Sequence, residues 1–470
     1  MKIEQIYTGC LAEAAYYIES NGEAAIIDPL REVGTYLKKA EKAGANIKYI
    51  FETHFHADFV SGHVDLASKS GATIIYGPTA KTEFESHIAK DGEQFKIGKL
   101  TITALHTPGH TLESTTYLLS DENGKDHCIF SGDTLFIGDV GRPDLAQKGN
   151  LTMEDLAGML YDSLNEKIKP LADEVIVYPA HGAGSACGKS MSKETFDTLG
   201  HQKQVNYALK AETKEQFISE VTDGIMPPPQ YFAKNAAINK SGVGSIDGIY
   251  EKGLNALMPQ QFEDLANQTG AIMLDTRDPQ IFAKGFIPNA INIGLNGQFA
   301  PWVGALITDL QQPILLITEA GKEQESITRL TRVGYDNTIG YLEGGFENWI
   351  STDKEIDTIK SISAEAFEQV ANQEDTVALD VRKPGEYESE HLEFTLSRPL
   401  DFINDWTGEV NPAGTYYIHC AGGYRSMIAA SILKSRGVEN VIDVAGGYAA
   451  IKNTGLTRTD FACPSKAMKV

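Results

Sequence analysis

The chain has 470 residues, 42% hydrophobic and 22% charged, with 44 glycines and 18 prolines, an ordinary globular composition long enough for roughly two to four domains. A formal net charge of -23, with Lys and Arg interspersed among the acids, argues against nucleic acid and against an anionic membrane surface as partners. Five cysteines at 10, 128, 187, 420 and 463 argue against a disulfide framework, and residues 1–20 carry Glu4, Glu13 and Glu19 instead of a signal peptide, so reduced thiols and a cytoplasmic location are expected.

In chain order, β-rich stretches at 24–27, 48–51, 72–75 and 100–103 alternate with Gly-punctuated helical patterns such as 34–43, an α/β layout. A helix over 212–221 is expected to stop before Met226-Pro227-Pro228-Pro229, and a boundary follows near 242–248, giving a first domain of residues 1–248. Four segments inside it place potential ligands just after apolar strands. They are Thr53-His54-Phe55-His56-Ala57-Asp58, Thr107-Pro108-Gly109-His110, Ser131-Gly132-Asp133 and Tyr178-Pro179-Ala180-His181. Any one alone reads as an ordinary polar loop, but four in this order predict a metal site, because imidazole and carboxylate hold borderline divalent ions and strand ends fix them in place.

At these residues the sequence resembles the metallo-β-lactamase superfamily, in particular its glyoxalase II and persulfide dioxygenase branch, over about residues 1–240. The resemblance implies an αββα sandwich. The usual run is His-x-His-x-Asp-His, which builds two metal sites, but Phe59 stands here at the sixth position and disfavours a dinuclear centre. By resemblance to the persulfide dioxygenases, His54, His110 and Asp133 would hold one Fe(II) per chain, leaving open positions for substrate and O₂. His56, Asp58 and His181 would orient ligands and bound water. Gly141-Arg142-Pro143-Asp144 resembles that branch's Gly-Arg-x-Asp segment, which implies Arg142 as a substrate anchor, with a solvated loop arginine as the alternative. Tyr178 is expected at the substrate sulfur or bound oxygen, or else in the core. Cys187, six residues past His181 on a small-residue loop, is a possible sulfur relay or simply a loop thiol, and Cys10, Cys128 and Cys463 have no supporting context.

The remaining chain repeats itself. Leu274-Asp275-Thr276-Arg277 recurs as Leu379-Asp380-Val381-Arg382, Phe282 as Tyr387, and Glu343-Gly344-Gly345-Phe346 as Ala445-Gly446-Gly447-Tyr448. Offsets of 105, 105 and 102 residues are whole-domain periods, so 249–355 and 356–470 are expected to be two copies of one small α/β fold. In the second copy, Cys420-Ala421-Gly422-Gly423-Tyr424-Arg425 turns a strand into a helix; its glycines, the helix N-terminus and Arg425 favour a thiolate. This loop, with Asp380 and Arg382 before it and Gly446-Gly447-Tyr448 after it, resembles the rhodanese family, whose domains have parallel sheets, and implies Cys420 as sulfur carrier with Arg425 beside it. The first copy reads Thr318-Glu319-Ala320-Gly321-Lys322-Glu323 at that place and has no cysteine between 188 and 419, so it is expected to be a spacer or docking module.

Together these resemblances imply a dioxygenase that takes a low-molecular-weight thiol persulfide, such as glutathione persulfide, and O₂ to sulfite and thiol. Rhodanese transfer would link persulfide, sulfite and thiosulfate in an expected homo-oligomer. The rivals are a glyoxalase II-like thioester hydrolase and a sulfide-responsive sulfur carrier without oxygen chemistry.

Overall fold

The computed structural model describes residues 1–147, 150–371, 373 and 376–462. The chain divides into two compact units, residues 1–246 with 331–334, and residues 247–330 with 335–470. Among the described residues no helix is long and apolar enough to cross a membrane.

The first unit is a four-layer αββα sandwich. One sheet runs β1 (Lys2–Thr8), β2 (Glu13–Ser20), β3 (Glu23–Ile27), β4 (Asn46–Phe51), β5 (Thr73–Tyr76) and β6 (His87–Ile88), antiparallel across its first three strands and parallel thereafter. The other contains β7 (Gln94–Ile97), β8 (Leu100–His106), β9 (Thr115–Ser120), β10 (Asp126–Gly132), β11 (Ile176–Pro179) and β12 (Asp197–Thr198), joined in sequence order with only β10 and β11 parallel. Side chains alternate across each strand, and the inward set, including Tyr16, Ile18, Phe51, Ile102, Tyr117 and Phe130, forms the core between the sheets. The outward set is covered by helices. Val33, Tyr36 and Leu66 close one face of the sandwich. Leu160, Leu164 and Phe217 close the other.

The expected helix over 34–43 is present as Gly34–Ala43, stopped by Gly44 in the left-handed conformation with its N–H on the Ala40 and Glu41 carbonyls. The helix expected over 212–221 is Lys214–Thr222, opened by the Thr213 hydroxyl on the Gln216 N–H.

The second unit carries the internal repeat as two five-stranded sheets, both wholly parallel. One has the order β13 (Ala256–Leu257), β17 (Thr338–Leu342), β16 (Ile314–Ile317), β14 (Ile272–Asp275), β15 (Ile291–Asn292). The other has β18 (Lys360–Ile362), β22 (Asn440–Val444), β21 (Thr415–His419), β19 (Val377–Asp380), β20 (Leu396–Ser397). The two orders are the same once each copy is numbered from its own first strand. Central strands such as Ile314–Ile317 are buried along their whole length, as a parallel sheet covered on both faces requires.

The repeated motif has a structural cause. Arg382 grips Asp380 through Nε–Oδ1 at 3.0 Å and Nη2–Oδ2 at 2.6 Å, while its guanidinium lies 3.9 Å from the Tyr448 ring centre. In the first copy Arg277 grips Asp275 in the same way and lies 4.2 Å from the Phe346 ring centre. Strand end, arginine and aromatic ring are thus bound into one packed unit in each copy.

Candidate functional site

His54, His110, Asp133 and His181 follow β4, β8, β10 and β11, which brings them to one edge of the sandwich, with His54 supplied by one sheet and the others by the second. The His110 and Asp133 loops meet closely. A Cβ on Gly141 would fall 2.0 Å from the Asp133 carbonyl oxygen and 3.0 Å from His110 Nδ1, so only glycine fits there.

Asp133 Oδ2 lies 3.8 Å from His54 Nε2 and 3.4 Å from His110 Nε2, and all three side chains are buried. Both gaps are shorter than two bonds of about 2.1 Å, and all three ligand atoms lie within 4.8 Å of one another, a group that could hold one ion. Asp133 Oδ2 has no hydrogen-bond partner. An unpaired buried carboxylate oxygen facing two imidazole nitrogens is costly by itself, and a divalent cation at that point satisfies it. The outward nitrogens are already committed. His54 Nδ1 donates to Thr53 Oγ1 at 2.9 Å, and that hydroxyl donates to Asp28 Oδ2 at 2.9 Å. His110 Nδ1 donates to the Arg142 carbonyl at 2.8 Å. Each ring therefore turns its Nε2 lone pair to the same point, and the donor set fits a metal. Burial, then the neighbouring His56, holds His54 well below the usual histidine range and hence neutral, the coordinating form.

His181 sits behind this face, its Nδ1 2.8 Å from Asp133 Oδ1 and its Nε2 2.7 Å from Asp58 Oδ2. Burial opposes its charge, but the two carboxylates outweigh burial and raise it well above the usual range. On Asp133 burial is likewise outweighed, here by His181, His54 and His110, and its carboxyl is held far below the carboxylate range. His56 turns another way, with Nε2 3.0 Å from Asp28 Oδ1 and 3.6 Å from Glu52 Oε2. Phe59 fills the flank beside it, its ring centre 4.3 Å from that of His56.

The structure brings Cys187 to this centre, with its sulfur in one group with His181 and Asp58, their ligand atoms within 4.8 Å of one another. Burial, then Asp58 and Asp133, pushes its thiol up, so it rests protonated. Arg142 is tied down within its own loop. Its bidentate edge is occupied by Asp144, through Nε–Oδ1 at 2.6 Å and Nη2–Oδ2 at 2.7 Å, while Nη1 donates to the Ala186 carbonyl at 3.1 Å. Its backbone N–H also donates to the Cys187 carbonyl at 3.0 Å, so Arg142 ties the cysteine loop to the metal loops. Tyr178 packs, half-buried, against the core between the sheets, stacked on Phe130 at 5.7 Å and beside Tyr16 at 5.4 Å. Glu13, which the sequence marks only as an acidic residue near its start, is fully buried, makes a β-bridge to His181, and burial raises its carboxyl well above the usual range. A lone Glu opening an apolar strand was the only available signal.

In the second unit, Cys420 follows β21 and begins the loop that leads into the helix Tyr424–Ser435. The Gly423 N–H donates to its sulfur at 3.1 Å, a contact made possible by the left-handed φ of +102° at Gly423. Arg425 makes two bonds to Glu386, Nη1–Oε2 at 2.6 Å and Nη2–Oε1 at 2.9 Å. Glu386 was also missed. Its signal lay in the repeat, where Ile281 takes its place and Glu323 takes that of Arg425, so both partners are absent from the cysteine-free copy together. Register confirms the alignment, since Leu379 pairs Ile418 as Leu274 pairs Leu316, which sets Thr318 opposite Cys420. The four described cysteines are free thiols, and Cys463 lies outside the described residues.

Comparison with known proteins agrees with these two sites. Residues 8–181 match the metallo-beta-lactamase superfamily, and residues 258–352 and 363–454 each match the rhodanese-like domain. The chain is 31% identical to the probable hydroxyacylglutathione hydrolase of Schizosaccharomyces pombe over 203 residues, 42% of this chain and 74% of the relative. It is 28% identical to the mitochondrial persulfide dioxygenase of Homo sapiens over 210 residues, 44% of this chain and 74% of the relative. Among solved structures, a metallo-beta-lactamase from Staphylococcus aureus aligns at 32% identity and a TM-score of 0.65, covering 72% of this chain and 98% of the other. The chain belongs to the metallo-beta-lactamase superfamily, as a metallo-beta-lactamase domain followed by two rhodanese-like domains.

Proposed function

We propose that this protein is an iron-dependent persulfide dioxygenase coupled to a sulfurtransferase, with domains at 1–248, 249–355 and 356–470. The observation that carries the reading is the three-residue face of His54, His110 and Asp133 with Phe59 on its flank, in one chain with the Cys420 loop. The overall reaction is thiol persulfide, O₂ and water to thiol, sulfite and two protons. One Fe(II) per chain, held by the three residues with positions left open, would supply redox chemistry that zinc, with its single oxidation state, does not.

The protein's own groups do the rest. Thr53 and the Arg142 carbonyl fix the two imidazoles, and His181 holds Asp133 while sharing its second proton site with Asp58. That arrangement gives the Asp58–His181 pair a proton to deliver to the departing thiol. A substrate carboxylate reaching Arg142 has to displace Asp144, and Cys187, beside the pair, is the thiol positioned to take or pass on sulfur. At Cys420, the thiolate attacks the outer sulfur of a persulfide or thiosulfate and expels the thiol or sulfite, and the resulting Cys420 persulfide returns that sulfur to sulfite, giving thiosulfate and the thiolate again. We place the chain in a reducing cytoplasm as a homo-oligomer, with glutathione persulfide or a similar thiol persulfide as substrate.

The hydrolase reading has the Schizosaccharomyces pombe relative in its favour. It needs a second metal, whereas Asp58 and His181 here bond each other and Phe59 cannot coordinate. Oxygen-electrode measurements with glutathione persulfide, alongside metal analysis of the same sample, test the choice. O₂ uptake at close to one iron per chain is expected; two zinc ions and thioester hydrolysis without O₂ uptake would overturn the proposal.

A further inference from the structure

The sulfur-carrier loop is open on one side. A Cβ built at Gly422 meets nothing within 4 Å, and Gly423 already has a left-handed backbone. A loop with two adjacent glycines has much freedom to lose, and a nucleophile must be held to about half an ångström, so its support has to come from its flanks. Part of that support comes from its own copy, where the Tyr448 N–H donates to the Cys420 carbonyl at 2.6 Å, and part from the cysteine-free copy, within the same compact unit.

Tyr424 stands between Gly423, whose N–H meets the Cys420 sulfur, and Arg425. Its hydroxyl donates to the Gly294 carbonyl at 2.7 Å. Its ring lies flat against Gly297, where an added Cβ would fall 2.5 Å from two ring carbons. A separate path reaches the sulfur from below. Gln280 Nε2 donates to Asp443 Oδ2 at 3.0 Å, Asp443 Oδ1 accepts the Ser426 hydroxyl at 2.7 Å, and Ser426 Oγ is 3.7 Å from Cys420 Sγ. The Asn292 N–H fixes the helix behind the loop through Ser431 Oγ at 3.0 Å.

We propose that Gln280, Gly294 and Gly297 of the cysteine-free copy are positioning residues for Cys420, so that the module without a thiol is a working part of its neighbour's sulfur-transfer site. A plain packing interface needs apolar area but no carbonyl aimed at the one tyrosine of the loop, nor a hydrogen-bond path that ends at the sulfur. The inference rests on Cys420 as the sulfur carrier.

The test uses the full-length, iron-loaded protein with thiosulfate labelled in its outer sulfur and cyanide as acceptor, in wild type, Gly297→Val, Tyr424→Phe and Gln280→Ala. Wild type labels at Cys420. Gly297→Val lowers kcat for transfer about tenfold or more by displacing the ring, while the milder Tyr424→Phe and Gln280→Ala lower it about two- to tenfold. KM for thiosulfate stays within about twofold, because Glu386 still holds Arg425, and O₂ uptake with glutathione persulfide is unchanged. Unchanged kcat in Tyr424→Phe and Gln280→Ala, or a rise in KM alone, overturns the inference. A wild type that takes no label at Cys420 overturns the sulfur-carrier reading itself, and the two failures are told apart by that first measurement.

Discussion

Replacing Thr53 by Val keeps the shape of the side chain and removes a single hydroxyl. That hydroxyl accepts from His54 Nδ1 and donates to Asp28 Oδ2, each at 2.9 Å and away from water. Its loss strands two buried polar atoms, at about 1–3 kcal/mol apiece. Asp28 keeps the Thr53 N–H on Oδ1 at 2.8 Å, so the lower part of that range applies and a destabilisation of about 2–3 kcal/mol is expected. The larger effect falls on the metal. With no acceptor at Nδ1, the His54 ring is free to rotate and to exchange tautomers, and affinity is expected to fall about 10- to 100-fold, equivalent to about 1.4–2.7 kcal/mol. Anaerobic competition for Fe(II) against a coloured chelator measures this directly, with O₂ uptake recovering at saturating iron. A folded Thr53→Val protein that binds iron within about twofold of wild type would refute the claim that this hydroxyl fixes His54.

Three further outcomes follow from the same geometry. Cys420→Ser is expected to leave O₂ uptake intact and abolish thiosulfate turnover; the opposite pattern would reject the division of labour between the two units. Gly447→Ala forces a Cβ to 2.4 Å from the Cys420 carbonyl oxygen at a φ of +55°, so a loss of about 2 kcal/mol or more in urea unfolding is expected together with slower sulfur transfer. Burial raises the Glu386 carboxyl, but its bonds to Arg425 outweigh burial and set it below the ordinary glutamate value of 4.5. A depressed folded value means that its stabilising contribution is complete above that pH and lost as pH falls through the folded value, so Glu386→Gln should flatten the acid limb of the melting profile. A wild-type advantage over the variant that stays the same above pH 4.5 and in strong acid would contradict this assignment.

What the sequence revealed and what it concealed divide along physical lines. Helix Gly34–Ala43 was legible because its apolar period and its terminal glycine agree, and the cluster of His54, His110 and Asp133 stood out because four strand ends each carry a potential ligand. The repeat was legible because an arginine that must stack on an aromatic ring cannot drift in sequence. Arg142 was harder, since Asp144 lies two residues away in the same motif and sequence does not say whether a guanidinium grips its neighbour or a ligand. Alternation is visible at Tyr178: Ile176 and Tyr178 pack toward the core between the sheets, while Val175 and Val177 face the helices. The Arg425 pair with Glu386 spans 39 residues and becomes visible only when the two copies are compared.

Because His54 comes from one sheet while His110 and Asp133 come from the other, an ion bound by all three works as a rivet through the sandwich. Pulling the sheets apart would break coordinate bonds as well as empty the space between aromatic rings, so occupancy and resistance to protease should rise together. A shortage of that ion would then cost the cell this protein by degradation as well as by inactivity.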